Sequence, residues 1–376
     1  MVIFMNKTEL EQAIEFCINK VDTGLKYFKD CYPSGASTNG IYPPEANTNW
    51  TSGFWTGMIW LAYEFTGDEK YKEAGLRQVR DFLYRIENRI EVEHHDMGFL
   101  YSPSCVAAYK LTGDENAKKA ALMAADNLCG RFMEKGQFIQ AWGKLGDENN
   151  YRLIIDCLMN LPLLFWAGKE TNDKKYTETA LKHLHTAADV VVRKDGSTHH
   201  TFFFDPKTGM PDRGMTCQGY SDDSIWARGQ AWGIYGFALA YGFTGEQKMY
   251  DKFMTVTEVF LKHLPKDDVP AWDMIFTDTE TQKDSSSAPI AVCGILEMQK
   301  NHKLPRQTSE KTDDIMNALK KDYLMHDMPE SSGILKHAVG AMPQKQGVDE
   351  CNIWGDYFYM EALMRIKNQL WDSYWG

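Results

Sequence analysis

One turn recurs along the chain and constrains its fold more than any other feature. Thr66-Gly67-Asp68 returns as Thr112-Gly113-Asp114, then in varied form as Thr171-Asn172-Asp173 and Thr244-Gly245-Glu246. Each copy separates an apolar helical segment from an amphipathic one, as in "FWTGMIWLAYEF" before the first turn and "EKYKEAGLRQVRDFLYRI" after it. Apolar residues recurring every three to four positions mark the second kind as helices with one buried face. A glycine after the last apolar turn suits a left-handed helix end, and the acid after it can cap the next helix. A weaker copy joins "APIAVCGILEMQKNHKL" to "SEKTDDIMNALKKDYL". The last apolar segment, "DYFYMEALMRIKNQL", can pair with the N-terminal "KTELEQAIEFCINKVDTGLKYF".

About six apolar helices therefore alternate with six amphipathic ones. Their spacing is irregular, 46 residues from Thr66 to Thr112 and longer afterwards. A linear solenoid would keep a stricter period and carry polar capping repeats, so a closed ring with insertions is expected. The expectation is an all-α chain, an (α/α)6 barrel forming one domain over residues 1–376; the competing reading is an irregular all-helical domain. Inner helices would make the core, outer helices would face solvent, and the segments before the inner helices would build one rim. Short strands are expected in insertions, notably in "GSTHHTFFFDPKTGM", where aromatics alternate before a turn.

Bulk properties remove several classes of function. A net charge of -11 argues against a general nucleic-acid surface. No apolar run reaches the ~18 residues of a membrane span. The start "MVIFMNKTELEQAI" has an apolar tetrad but no signal-peptide pattern. The eight cysteines (17, 31, 105, 129, 157, 217, 293, 351) are scattered with no CxxC pair, as expected of reduced thiols in a cytoplasmic protein without structural zinc. Aromatics reach 13%, with eleven Trp. They serve as core or as platforms for flat ligands and sugar faces.

Residues that violate the helical pattern gather just before the apolar helices. They are Trp50 in "NTNWTSGFW", Asp96 in "EHHDMGFLYSPS", Trp142 and Asp156 in "QAWGKLGDENNYRLIIDC", and Gln218, Arg228 and Trp232 in "CQGYSDDSIWARGQAWG". In a helical ring these segments converge on one end and make a pocket. Asp156 stands within "YRLIIDCLMNLPLLFW", where a lone carboxylate is costly unless it finds partners or changes its pKa. Asp96 reads equally well as a helix cap. Arg228 and Trp232 lie four apart on one helix face, either as cation–π packing or as an anion clamp beside a platform. Of His199 and His200, strand alternation turns one inward. Ser285–Ser287 read as a cap and first turn whose hydroxyls can also meet a ligand. His94, His95 and Asp96 lack metal-site spacing, and neither a metal nor a cofactor is expected. No phosphate loop, nucleophile elbow or Cys/His pair stands out. Two carboxylates among Trp, His, Arg and Gln outline carbohydrate chemistry.

At these residues the chain resembles the unsaturated glucuronyl hydrolases of glycoside hydrolase family 88. The matching motifs are "NWTSGFWTGMIWLAYE", "HHDMGFLYSPS", "YRLIIDCLMNLPLLFWA", "HHTFFFDPKTG", "GYSDDSIWARGQAWGIYG" and "WGDYFYMEAL". The resemblance implies an (α/α)6 barrel that removes a 4,5-unsaturated glucuronic acid from the non-reducing end of lyase-generated di- and oligosaccharides, derived from glycosaminoglycans or from gellan or xanthan. It implies Asp156 as general acid/base and Asp96 as the second essential carboxylate. It places Trp50, Trp142, His200, Gln218, Arg228 and Trp232 along the substrate, and gives the loop from Gln344 to Cys351 a role at the next sugar. An unsaturated rhamnogalacturonyl hydrolase on the same barrel, or a barrel that only binds sugars, are the alternatives.

Overall fold

The computed structural model describes residues 5–376, and the apolar tetrad at 1–4 lies outside them. In chain order the helices are α1 (Lys7–Tyr27), α2 (Ser52–Thr66), α3 (Glu69–Glu87), α4 (Met97–Tyr101), α5 (Ala107–Thr112), α6 (Glu115–Cys129), α7 (Leu161–Thr171), α8 (Lys174–Val190), α9 (Ala227–Thr244), α10 (Gln247–Lys262), α11 (Ser287–Gln299), α12 (Arg306–Ala318) and α13 (Ile353–Lys367). A π turn, Ser102–Val106, joins α4 and α5 into one inner rod. Pro103 has no N–H to give the α-helical ladder there, and the wider turn absorbs the missing bond.

The inner ring runs α2, α4–α5, α7, α9, α11, α13, and α13 packs back on α2 to close it. These helices are buried on every side: all residues of α9 from Ala227 to Ala240 are inaccessible. Close approach has a local cause where α11 crosses α9, since a Cβ on Gly294 would sit 2.6 Å from the Tyr235 Cα. The outer helices α3, α6, α8, α10, α12 and α1 bury one face; in α3 the stripe is Tyr71, Ala74, Gln78, Val79, Phe82 and Arg85. The barrel expected from the repeat is thus the one observed.

The threonine and the left-handed residue of the recurrent turn act alike in all four copies. Each threonine hydroxyl donates to the carbonyl four residues back and accepts the N–H two residues on. The next residue is left-handed: Gly67 at φ 70°, Gly113 at 71°, Asn172 at 55° and Gly245 at 65°. Asp68, Asp114 and Asp173 then accept an N–H of the following helix. Glu246 does not; its carboxylate meets His185 at 3.0 Å instead.

Strands are confined to insertions. The one that matters for function is a three-stranded antiparallel sheet of Arg152–Ile154, Thr201–Phe204 and Pro211–Met215. All eight cysteines are unpaired. Among the described residues no helix is long and apolar enough to cross a membrane.

Candidate active site

The segments entering the inner helices meet at one end of the barrel. The small sheet puts Ile154 opposite Thr201, and the Ile155 N–H donates to the His200 carbonyl at 3.0 Å. Asp156 follows at once, in a 3-10 turn, Ile155–Met159, that leads into α7. Sheet register therefore sets Asp156 beside His200. Across from it, the His95 N–H donates to the Ala141 carbonyl at 2.7 Å and His94 bridges to Trp142, so the entry to α4 is tied to the Trp142 loop.

The two aspartates meet around His95. Its Nε2 is 3.3 Å from Asp96 Oδ1 and 3.4 Å from Asp156 Oδ1. Asp96 occupies the cap position of α4 without capping it. Its carboxylate faces His94 Nδ1 at 3.1 Å and His95 instead, which removes the capping reading. Burial alone would raise the Asp96 pKa, but His95, His94 and Arg131 outweigh it and hold the group below the usual value. Asp156 goes the other way. Burial, then the charge of Asp96, push it well above the carboxylate range, against a weaker pull from Arg228. Asp156 Oδ1 is buried and receives no hydrogen bond. Two neighbouring carboxyls with pKa values driven apart are the pattern of an acid and its charged partner.

His95 and His200 are both neutral, lowered by burial to about 4 and about 3. His200 Nδ1 accepts the Cys217 and Gln218 N–H groups at 2.9 and 3.3 Å, so its proton sits on Nε2 as a free donor. The ring lies 4.2 Å from that of Trp226. Arg228 is 3% exposed, and both of its terminal nitrogens are engaged. It donates to Asp284 at 2.8 Å, the Val339 and Gly340 carbonyls at 2.5 Å, and Gln218 Oε1 at 2.6 Å. Gln218 thereby keeps its amide N–H groups for other partners.

The tryptophans separate into two kinds. Trp50 is half-buried and lies nearly parallel to Trp354, 5.3 Å away at 26°. It borders a pocket of about 540 Å³ with Thr48, Asn49, Glu91, His94 and Asp96. Trp142 is half-buried with Arg152 4.6 Å above its ring. Trp232 differs from expectation: it is 1% exposed and packs on Phe99 and Phe358, forming floor rather than platform. Arg228 does not stack on it but on Trp226 and Trp354, at 4.8 and 5.0 Å. Gly229 explains the exchange, since a Cβ there would lie 2.6 Å from the Trp226 ring.

Three residues were not singled out for the substrate site by the sequence. His95 was hidden in a pair of histidines, Asp284 in a serine run, and Trp354 in an apolar helix start. Asp284 accepts from Ser286 Oγ at 2.5 Å, and Ser286 in turn accepts from Trp354 Nε1 at 2.9 Å, so Ser285–Ser287 form the buried entry to α11, with Ser286 at the cap position. The Gln344–Cys351 segment is half of a hairpin whose other strand, Ala338–Ala341, supplies the carbonyls to Arg228, and Gln344 Nε2 donates to the Cys217 carbonyl at 2.9 Å. Ligand atoms of His95, Asp96 and Asp156 lie within 4.8 Å of one another, close enough for a divalent ion. A metal-bound imidazole almost always donates its second N–H, yet His95 Nδ1 has no partner. The trio suits a shared proton better than a metal.

The model of the Glycosyl Hydrolase Family 88 matches residues 25–300. The unsaturated chondroitin disaccharide hydrolase of Streptococcus pneumoniae is 48% identical over 383 residues, which span 100% of this chain and 96% of that protein. The crystal structure of an unsaturated glucuronyl hydrolase from Streptococcus agalactiae matches with a TM-score of 0.96 at 46% identity, over 99% of this chain and 95% of that one. An aspartate-to-asparagine mutant of the Streptococcus agalactiae enzyme, complexed with dGlcA-GalNAc6S, matches with a TM-score of 0.88 at 42% identity, over 99% and 95% of the two chains.

Proposed function

The chain belongs to Glycosyl Hydrolase Family 88, and on that premise we propose that it is an unsaturated glucuronyl hydrolase whose chemistry is carried by Asp156. It is a glycoside hydrolase that releases the 4,5-unsaturated glucuronic acid from the non-reducing end of oligosaccharides, with chondroitin-type disaccharides as the first substrates to test. We take residues 1–376 as one catalytic unit acting in the cytoplasm; unpaired cysteines throughout support that compartment.

The observation that carries the mechanism is the split pair: Asp156 held towards its acid form beside an ionised Asp96. The substrate is a vinyl ether, with C4=C5 next to the ring oxygen. Protonated Asp156 gives its proton to C4, and positive charge develops between C5 and the ring oxygen. Asp96 supplies fixed negative charge for that cation. Asp156, now ionised, takes a proton from water as the oxygen adds to C5. The hemiketal opens, the aglycone leaves, and Asp156 is again protonated. This is hydration, so the carboxylate-separation rule of ordinary glycosidases does not apply. His200 Nε2–H and the Gln218 amide are placed to donate to sugar oxygens, and Trp50 and Trp142 to pack on sugar faces. Arg228, committed to protein acceptors, acts by holding Gln218 and the 338–341 hairpin.

The test is turnover of lyase-generated disaccharides, read as loss of the ultraviolet absorbance of the conjugated enoate. Decay with unsaturated chondroitin disaccharides is expected. Decay only with unsaturated rhamnogalacturonyl substrates would move the chain to the neighbouring specificity, and saturable binding without decay would make it a binding protein.

A further inference from the structure

We infer that His95 is a positioning residue whose single Nε2–H stands between Asp96 and Asp156 and follows the negative charge from the first to the second as Asp156 gives up its proton. The inference rests on the reading of Asp156 as the proton donor. Its basis is geometric. His95 is 1% exposed, and its backbone is fixed by the Ala141 carbonyl. Its ring stands edge-on to Trp142, 6.4 Å away at 81°. Nε2 is nearly equidistant from the two carboxylates, at 3.3 and 3.4 Å.

Only one tautomer fits this setting. Nδ1 is buried with no acceptor, so a proton there would be left unpaired. On Nε2 the proton faces two carboxylate oxygens. The other charged or titratable groups around the ring are His94, Arg131, Arg152 and His200, while His183 lies behind it with Nδ1 taken by the Ile139 N–H. None of them offers Asp156 Oδ1 a hydrogen bond, and that atom has none from any protein donor apart from this approach.

The consequence concerns the reacting state more than the resting one. While Asp156 is protonated, Asp96 is the anion that draws the Nε2–H. Once the proton has moved to C4, a new anion exists on Asp156 within reach of the same donor. A group that binds charge only as it develops lowers the barrier rather than improving binding. His95 never touches the sugar in this account; it acts through the two aspartates.

The experiment compares His95→Leu, which removes the donor, with His95→Gln, whose amide N–H reaches the Nε2 position. Full-length enzyme is assayed on unsaturated chondroitin disaccharide across pH. For His95→Leu, kcat is expected to fall about 100-fold, the size of losing one donor to developing charge, with KM changed less than about threefold. Losing a donor to the ionised form raises a carboxyl pKa, so the basic limb of the kcat profile should move up. His95→Gln should recover at least tenfold of the loss and return the limb towards wild type. Equal loss in both variants with unmoved limbs, or wild-type kcat in His95→Leu, would overturn the proposal. If His95→Leu lacks the wild-type far-UV dichroism, His95→Asn replaces it, because the shorter amide leaves the Nε2 position empty. Absence of wild-type turnover would instead defeat the functional reading on which the inference stands.

Discussion

Two carboxylates of the barrel, one fully buried and one only partly so, are treated in opposite ways. Glu361, on the inner helix α13, is 0% exposed and accepts from Tyr235 Oη, from Arg365 Nε at 2.9 Å and from Trp375 Nε1 at 2.8 Å. Arg365 also pairs with Glu297, and the C-terminal tail is pinned there by Lys110 and Lys300. Asp156, at the entry end, has a buried oxygen with no hydrogen bond and a second carboxylate for a neighbour. Glu361 has its buried charge satisfied by donors; Asp156 has one oxygen left unsatisfied, where a pKa can be held high. Buried polarity alone does not mark a catalytic group, but a carboxylate oxygen buried without a hydrogen bond does suggest one.

The contrast can be broken most sharply by removing each carboxylate in turn. Asp156→Asn should lower kcat by about 10³-fold or more while leaving KM within a few-fold, because the amide cannot transfer the proton. Turnover near the wild-type rate would remove Asp156 from the chemistry. Glu361→Ala should do the reverse, costing about 3 kcal/mol of stability by leaving Arg365 short of a buried partner, with kcat of the folded enzyme preserved. Urea unfolding alongside the activity assay separates the two effects.

A smaller effect sharpens the same comparison. The folded-state pKa of Asp156 is raised above its unfolded value. At low pH both states are protonated and the group contributes nothing. As pH rises past the unfolded pKa, only the unfolded state releases the proton, and stability falls until the folded pKa is passed. Asp156→Asn escapes that cost. Its Tm should exceed wild type at neutral pH by roughly 2 °C, with the gap closing below pH ~4. A mutant less stable than wild type at neutral pH would show that Asp156 is satisfied after all. The smallest effect concerns the turns: Asp68→Ala should cost about 1 kcal/mol and Glu246→Ala less than about 0.5, because only the first caps its helix.

The turns show what a sequence makes legible. A threonine, a left-handed residue and a capping acid act within six residues, so local chemistry alone locates four helix boundaries. Ring closure by α13 on α2 followed from counting such units. The gathering of polar residues at one end was legible in composition, since Asp96, Asp156, His200, Gln218 and Arg228 do converge. Their partnerships were not. Arg228 stacks on Trp226 rather than Trp232 because Gly229 admits that ring, a fact of packing that helical spacing alone does not contain. His95 became visible only when α4 and the Trp142 loop were brought together by a backbone bond between residues 95 and 141. Likewise Asp284 reaches Arg228 from the entry to another inner helix, 56 residues away.

The central claim is that Asp156 is protonated when substrate arrives. Carbon-13 NMR of aspartate side-chain carboxyls, recorded across pH for wild type and Asp156→Asn, tests it directly. One carboxyl titrating well above the ordinary value of about 4 should be present in wild type and missing from the mutant. If the resonance that disappears titrates at or below that value, Asp156 reaches the substrate ionised and the account is wrong.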